Sequence, residues 1–181
     1  MRRLVLVVLP LLAACRIALE SEMTYEQPLK IDGGTNCVKG TSGVCKCVMA
    51  TNQPCMDAVG HTDFNFINVS ILNTNCTGTS CHQADSSSDA KKNPYGDAAT
   101  SYASLVNFAS MVTPGQTLVV PGHPEKSYAL VMLNYLAAED LQPSTIYPKS
   151  DVGLMPQKNP SLCCQKLDVI NAWIAAGALN N

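Results

Sequence analysis

Residues 76–82 read Cys-Thr-Gly-Thr-Ser-Cys-His, so two thiols and an imidazole lie within seven residues. A pair of cysteines followed directly by histidine is typical of c-type haem attachment, in which the thiols add to haem vinyl groups and the histidine binds the iron. The familiar spacing has two residues between the cysteines, whereas this stretch has four. The stretch predicts haem c held by Cys76, Cys81 and His82. The alternative is a small disulfide loop between Cys76 and Cys81, with His82 at the surface.

Residues 63–73, directly before this stretch, have the apolar period of a helix. The residues on the apolar stripe are Phe64, Ile67, Ile71 and Leu72. Thr62 is a candidate N-cap, while the β-branched content leaves a strand as the alternative. Such a helix would end just before Cys76 and would hold the attachment loop at the edge of the core.

The remainder of the chain predicts three more helices, over residues 98–110, 125–138 and 162–176. Pro124 fits the first turn of the second of these, and Gly177 is a natural stop for the third. The connecting segments are residues 83–97, predicted as a loop without a site, residues 117–120, predicted as a brief extended piece, and residues 141–158, predicted as a long loop. The predicted fold class is all-α, with one small helical domain over residues 61–181.

Residues 1–14 read MRRLVLVVLPLLAA, which has the positive start and short apolar run of a secretory signal peptide. The run is too short for a permanent membrane span. Leu12-Ala13-Ala14-Cys15 resembles a bacterial lipobox, which implies cleavage before Cys15 and lipid attachment to its thiol. We expect membrane association through this lipid, in the cell envelope of a bacterium, at the outer membrane or cell surface.

The chain has nine cysteines, and export to an oxidising compartment favours disulfides. Residues 15–60 predict an irregular segment held by cross-links, because their apolar runs are short and glycines interrupt them. The disulfide candidates there are Cys37, Cys45, Cys47 and Cys55. The Cys-x-Cys spacing leaves a metal site as the less favoured alternative.

Cys163 and Cys164 are neighbours in sequence. Vicinal cysteines bond to each other only through a strained ring, so the pair is expected to bond to two of the four N-terminal candidates, one each, which leaves the other two to bond together. A redox-active dithiol is the alternative, but no basic neighbour obviously lowers a thiol pKa there.

The charge pattern gives no sign of nucleic-acid binding. The formal net charge is −2, and lysine and arginine are not clustered. No paired carboxylates, phosphate-binding glycine loop or Ser/His/Asp set is present, so we do not expect an enzyme.

About residues 64–178 resemble a class I cytochrome c domain of the kind carried by envelope lipoproteins of myxobacteria and planctomycetes. The stretches that carry the resemblance are Ile71-Leu72, Cys81-His82, Val120-Pro121-Gly122-His123-Pro124, Ser127-Tyr128, Gly153-Leu154-Met155-Pro156 and the last helix through Trp173 to Ala178. Residues 16–60 have no counterpart in it.

The resemblance implies one covalent haem, with Cys76 and Cys81 as thioether cysteines, His82 as proximal ligand and Met155 as distal ligand. It also implies that the last helix packs across the first through its aromatic residue. The predicted function is one-electron transfer to a redox partner protein in the envelope. His123 is the rival ligand and, like His61, is expected at the surface; Trp173 is expected in the core.

The alternative function is a binding or structural lipoprotein of the same fold, held by disulfides and carrying no haem. A haem-free protein would have no reason to keep both His82 and the Met-Pro loop at Met155, and this feature favours the haem protein.

Overall fold

The computed structural model describes residues 37–39, 45–78, 81–86, 89–145, 154–156 and 162–181. The predicted signal peptide and the predicted lipid attachment site at Cys15 lie outside these residues. Among the helices that are described, none has the length and apolar character needed to cross a bilayer.

The described chain contains six α-helices and one hairpin. The helices are α1 (Gln53–Met56), α2 (Phe64–Phe66), α3 (Asn73–Asn75), α4 (Ala98–Ala103), α5 (Tyr128–Met132) and α6 (Cys164–Ala175). A π-helical stretch, Ile67–Leu72, joins α2 to α3, and 3₁₀ turns occupy Asp89–Lys92, Pro124–Lys126 and Ala138–Asp140. The hairpin pairs β1 (Cys37–Lys39) with β2 (Cys45–Val48) in antiparallel register.

The first long helix therefore runs without interruption from α2 through the π-helical stretch to α3. It begins at Asp63, whose carboxylate accepts a hydrogen bond from the Phe66 amide at 2.7 Å. The prediction of Thr62 as the N-cap was wrong, because the cap is the next residue, Asp63. All members of the predicted apolar stripe are buried: Phe64, Ile67, Ile71 and Leu72. Helix, and not the alternative strand, is the structure of this stretch.

The second predicted helix is shorter than its sequence pattern suggested. It ends at Ala103 and not at residue 110, because the backbone beyond it bonds to the extended piece at residues 117–119. The Asn107 amide donates to the Val119 carbonyl at 2.9 Å, and the Leu118 amide donates to the Phe108 carbonyl at 2.8 Å. Long-range bonds of this kind override local helix propensity.

The third predicted helix is also cut short. Pro124 begins a 3₁₀ turn, as its position suggested, and α5 follows but stops at Met132. Asn134 takes a positive φ of 59°, which reverses the chain. The Tyr135 amide then donates back to the Leu130 carbonyl at 2.8 Å.

The last helix packs against the first. Trp173 on α6 is stacked on Phe64, with ring centroids 5.1 Å apart, and both side chains are fully buried. Gly177 follows the C-cap residue with a φ of +101°, the left-handed conformation that stops a helix. Beyond it, the Asn181 carbonyl accepts from the Asn65 amide at 3.0 Å, so the end of the chain caps the start of the first helix.

Two disulfides tie the N-terminal segment to the start of α6. They join Cys47 to Cys164 and Cys55 to Cys163, so neither vicinal cysteine bonds to the other. The segment predicted as irregular contains the hairpin and α1, and Cys47 and Ala58 belong to the same buried core as the helices. The described part of this segment is thus packed onto the helical domain.

We expect the Cys47→Ala/Cys164→Ala double variant to lose about 2–5 kcal/mol of unfolding free energy. The lost cross-link spans 117 residues, so its removal frees many conformations of the unfolded chain. Guanidinium unfolding followed by circular dichroism measures the loss. In dithiothreitol the variant and the unmodified chain should converge; a difference that persists there would assign the effect to packing.

We expect Asp63→Ala to lower the free energy of unfolding by about 1 kcal/mol, because it removes the N-cap, whereas Asp63→Asn keeps a cap acceptor and lowers it less.

The hydrogen bond from His61 and that from the Phe66 amide lower the pKa of Asp63 below 3.8. The charged form therefore stabilises the folded chain above pH 3.8, and this contribution is lost as the pH falls through the lower folded-state pKa. The free energies of unfolding of the unmodified chain and of Asp63→Asn, measured at several pH values, test this. The greater stability of the unmodified chain should shrink on acidification, and a stability difference that grows would contradict the prediction.

Candidate functional site: an apolar cavity

A cavity of about 480 Å³ lies between the first helix, α5 and α6. Its walls are mostly apolar, with Ile67 and Leu72 from the first helix and Ile170 and Trp173 from α6. The volume is in the range of small-molecule and cofactor sites, roughly 300–1,000 Å³. The cavity is also lined by the four residues predicted to hold haem: Cys76, Cys81, His82 and Met155. The fold thus brings residues from opposite ends of the domain to one place.

His82 is held in a single orientation by the loop that follows it. Its Nδ1 lies 2.9 Å from the Asn93 carbonyl oxygen, which can only accept, so Nδ1 carries the proton. Nε2 is therefore the unprotonated nitrogen, and no partner for it is found among the described residues. Burial lowers the pKa of His82, which the bond to Asn93 opposes. A neutral imidazole with an available Nε2 is the form that binds metals.

Tyr95 supports the imidazole from its face. The two rings are stacked with centroids 4.6 Å apart, and the Tyr95 amide donates to the His82 carbonyl at 2.7 Å. Burial raises the pKa of Tyr95, with the neighbouring Cys76 acting in the same direction. The tyrosine is therefore a neutral wall of the site at physiological pH.

The loop between the cysteines is closed by backbone bonds. The Cys81 amide donates to the Gly78 carbonyl at 2.9 Å, and the His82 amide donates to the Cys76 carbonyl at 3.0 Å. Gly78 has a φ of +147°, a conformation that glycine alone adopts readily. These bonds fix Cys76 and His82 relative to each other despite the wide spacing.

The two cysteines of this loop differ in state. Cys76 is a free thiol, whereas Cys81 is disulfide-bonded. The predicted alternative of a Cys76–Cys81 loop disulfide is therefore wrong for this structure. Burial raises the pKa of Cys76 to about 12, although Lys166 lowers it in part. A protonated thiol is a poor nucleophile for disulfide exchange, so Cys76 can stay reduced beside the bonded Cys81.

Met155 is brought to the cavity by a backbone contact. Its amide donates to the Met132 carbonyl at 2.7 Å, which fastens the Leu154–Met155–Pro156 turn to the end of α5. Met132 and Met111 also line the cavity. Three methionines therefore line it, whereas the sequence pattern predicted only Met155 there.

The other histidines lie at the surface, as expected. His61 and His123 each bond a neighbouring carboxylate at 2.9 Å, those of Asp63 and Glu125, and their side chains are 43% and 50% exposed. Neither lines the cavity. No group of three or more His, Cys, Asp or Glu side chains within the described ranges could hold a metal ion, and Cys47 of the Cys-x-Cys pair is in a disulfide.

Sequence reasoning missed the contribution of residues 89–95, which it treated as a loop without a site. This loop supplies the Asn93 carbonyl and the Tyr95 ring. Asn93 lines the cavity with only 8% exposure, and among the described residues its Oδ1 has no hydrogen-bond partner. The available signal was Asn93-Pro94-Tyr95-Gly96, a turn with one aromatic residue in otherwise polar sequence.

No protein-family model matches the chain, and neither a curated protein nor a solved structure matches it. The resemblance to class I cytochromes c accordingly stays a prediction that rests on the motifs and on the site that they form.

In chain produced without haem, we expect iodoacetamide at pH 8 to label Cys76 on the order of 100-fold more slowly in the folded state than after unfolding. The reason is that the raised pKa leaves little thiolate. Peptide mass mapping without reductant reads out the labelling, with disulfide-bonded Cys81 as an internal control that stays unlabelled. Fast labelling of folded chain, or a peptide in which Cys76 and Cys81 are joined, would contradict the assignment.

Proposed function

We propose that this protein is an electron carrier that holds one haem in the apolar cavity, where His82 and Met155 would supply the ligands of its iron. The observation that carries the proposal is that these two residues, 73 positions apart in the chain, line the same cavity. An imidazole nitrogen and a thioether sulfur are the ligand pair that haem iron takes in electron-transfer cytochromes.

The chemistry of the lining fits this group. An apolar cavity suits the ring of a haem, and the imidazole of His82 and the thioether of Met155 are donor groups for its iron. Bound haem supplies an iron centre that gains and loses one electron.

Each residue then has a distinct role. The bond from His82 Nδ1 to Asn93 keeps Nε2 directed as a ligand and raises its basicity. The backbone bond from Met155 to Met132 holds the thioether at the cavity. A methionine ligand favours the reduced iron and so raises the reduction potential.

The cellular setting is part of the same proposal. Lipid on Cys15 would anchor the domain in the bacterial envelope, and a redox protein there would exchange single electrons with it. No substrate is turned over in this role.

A second candidate is a haem-free binding or structural lipoprotein. The observation in its favour is that Cys81, one of the two predicted thioether cysteines, is disulfide-bonded. With Cys47–Cys164 and Cys55–Cys163, this bond would leave a stapled helical scaffold whose cavity binds an apolar molecule.

A pyridine haemochrome spectrum separates the two candidates. We expect the chain, exported by a bacterium that attaches haem c, to show a c-type band and the added mass of one haem. His82→Ala should change the absorption spectrum of the folded protein, because it removes the iron ligand that α3 and the following loop position. His123→Ala, which changes a surface histidine bonded to a neighbouring carboxylate, is the matched control and should keep the parent spectrum. A colourless parent chain would exclude the electron carrier and leave the scaffold.

Three methionine variants test the distal ligand. Met155→Leu should lower the reduction potential of the haem and abolish the absorption band that arises from the bond between methionine sulfur and haem iron. The reason is that leucine has a similar size but no donor atom. Met132→Leu and Met111→Leu are the controls, since both side chains also line the cavity. Loss of the band in either control, with Met155→Leu unaffected, would reassign the ligand.

A further inference from the structure

We infer that the haem is attached to the protein by a single thioether bond, at Cys76, and that Cys81 serves as a structural disulfide beside the ligand His82. This inference rests on the proposed function and changes its attachment chemistry. The motif alone predicts two thioether bonds, and the two cysteines would then be equivalent.

Only one of the two cysteines has the S–H bond that thioether formation requires. Thioether formation adds a thiol across a vinyl double bond: sulfur bonds to one vinyl carbon, and the thiol hydrogen is transferred to the other. No electrons enter or leave. Cys76 has the required S–H, because it is a free thiol. Cys81 has none, since its sulfur is already bonded to another sulfur, and an external dithiol would first have to supply two electrons.

The placement of Cys76 suits attachment. It follows α3, its amide donates to the Leu72 carbonyl at 2.8 Å, and it lines the cavity together with His82 and Met155. Its carbonyl accepts from the His82 amide, so the attached sulfur and the iron ligand would be held by one backbone bond. One thioether is therefore enough to fix the haem in the orientation that His82 requires.

The disulfide at Cys81 restrains the site in place of a second thioether bond. A covalent bond directly before His82 restrains the backbone of the ligand without using a haem vinyl group. Cys76, His82 and Met155 line one apolar cavity, and this shared placement is the geometric support for a bound group there.

Mass mapping of the exported, unmodified chain tests the inference without any substitution. We expect proteolysis without reductant to yield a haem-bearing peptide with one sulfur–carbon bond at Cys76, together with Cys81 in a disulfide-linked peptide pair. The pyridine haemochrome band should lie between those of haem with two free vinyl groups and haem with none, because one vinyl group remains.

Paired variants give the second test. Cys76→Ser should lose covalent haem, so that acidified organic solvent extracts all of it, while Cys81→Ser should keep the haem attached. Circular dichroism confirms that both variants fold. Haem linked to both cysteines, or attachment that depends on Cys81 and not on Cys76, would overturn the inference and leave the electron carrier intact. Extractable haem in the unmodified chain would also overturn only the attachment, whereas absence of haem would overturn both.

Discussion

The contact between the first and last helices is the constraint on which the site depends. Phe64 and Trp173 stack where the helices meet, and farther along the same two helices Ile67 and Ile170 form facing walls of the cavity. Moving α6 would therefore open the cavity and displace the end of the first helix, from which Cys76 and His82 follow. The molecule restrains α6 at both ends: two disulfides hold its start, and the hydrogen bond from the Trp173 indole to the Leu179 carbonyl, 2.8 Å, holds the turn that follows it.

Oxidising conditions make disulfides and thioethers competitors for the same sulfurs. A domain with few charges and a small core gains stability from cross-links, yet haem attachment needs a reduced thiol. In the proposed haem protein, the different surroundings of the cysteines would meet these two demands separately. Cys76 is partly buried against the core beside Tyr95, where the charged thiolate is disfavoured, and it is a free thiol. Cys47, Cys55, Cys163 and Cys164 lie where α1, β2 and α6 meet, and they are all paired.

The sequence predicted features that depend on local periodicity. The stripe from Phe64 to Leu72 is buried as its spacing indicated, and Gly177 has the positive φ expected at the end of α6. Features that depend on long-range backbone bonds were missed. The helix from residue 98 was extended too far because nothing in its composition reports the strand-like bonds to Val119, and Asn93 went unnoticed because every residue has a carbonyl oxygen. The fold decides which group donates to a given backbone carbonyl. The residue type at that carbonyl's position therefore does not indicate its hydrogen-bond partner.

The three histidines differ in burial, and in the proposed site this difference, and not residue type, would select His82 as the ligand. His61 and His123 bond carboxylates two residues away, and both side chains lie exposed at the surface. His82 is instead largely buried, and this burial favours the uncharged imidazole, although the bond to the Asn93 carbonyl opposes it. In the proposed site the same low-polarity surroundings would also act on the iron, because a cavity that disfavours imidazolium disfavours the more positive, oxidised metal as well. The apolar lining and the Met155 thioether would thus shift the potential in the same direction.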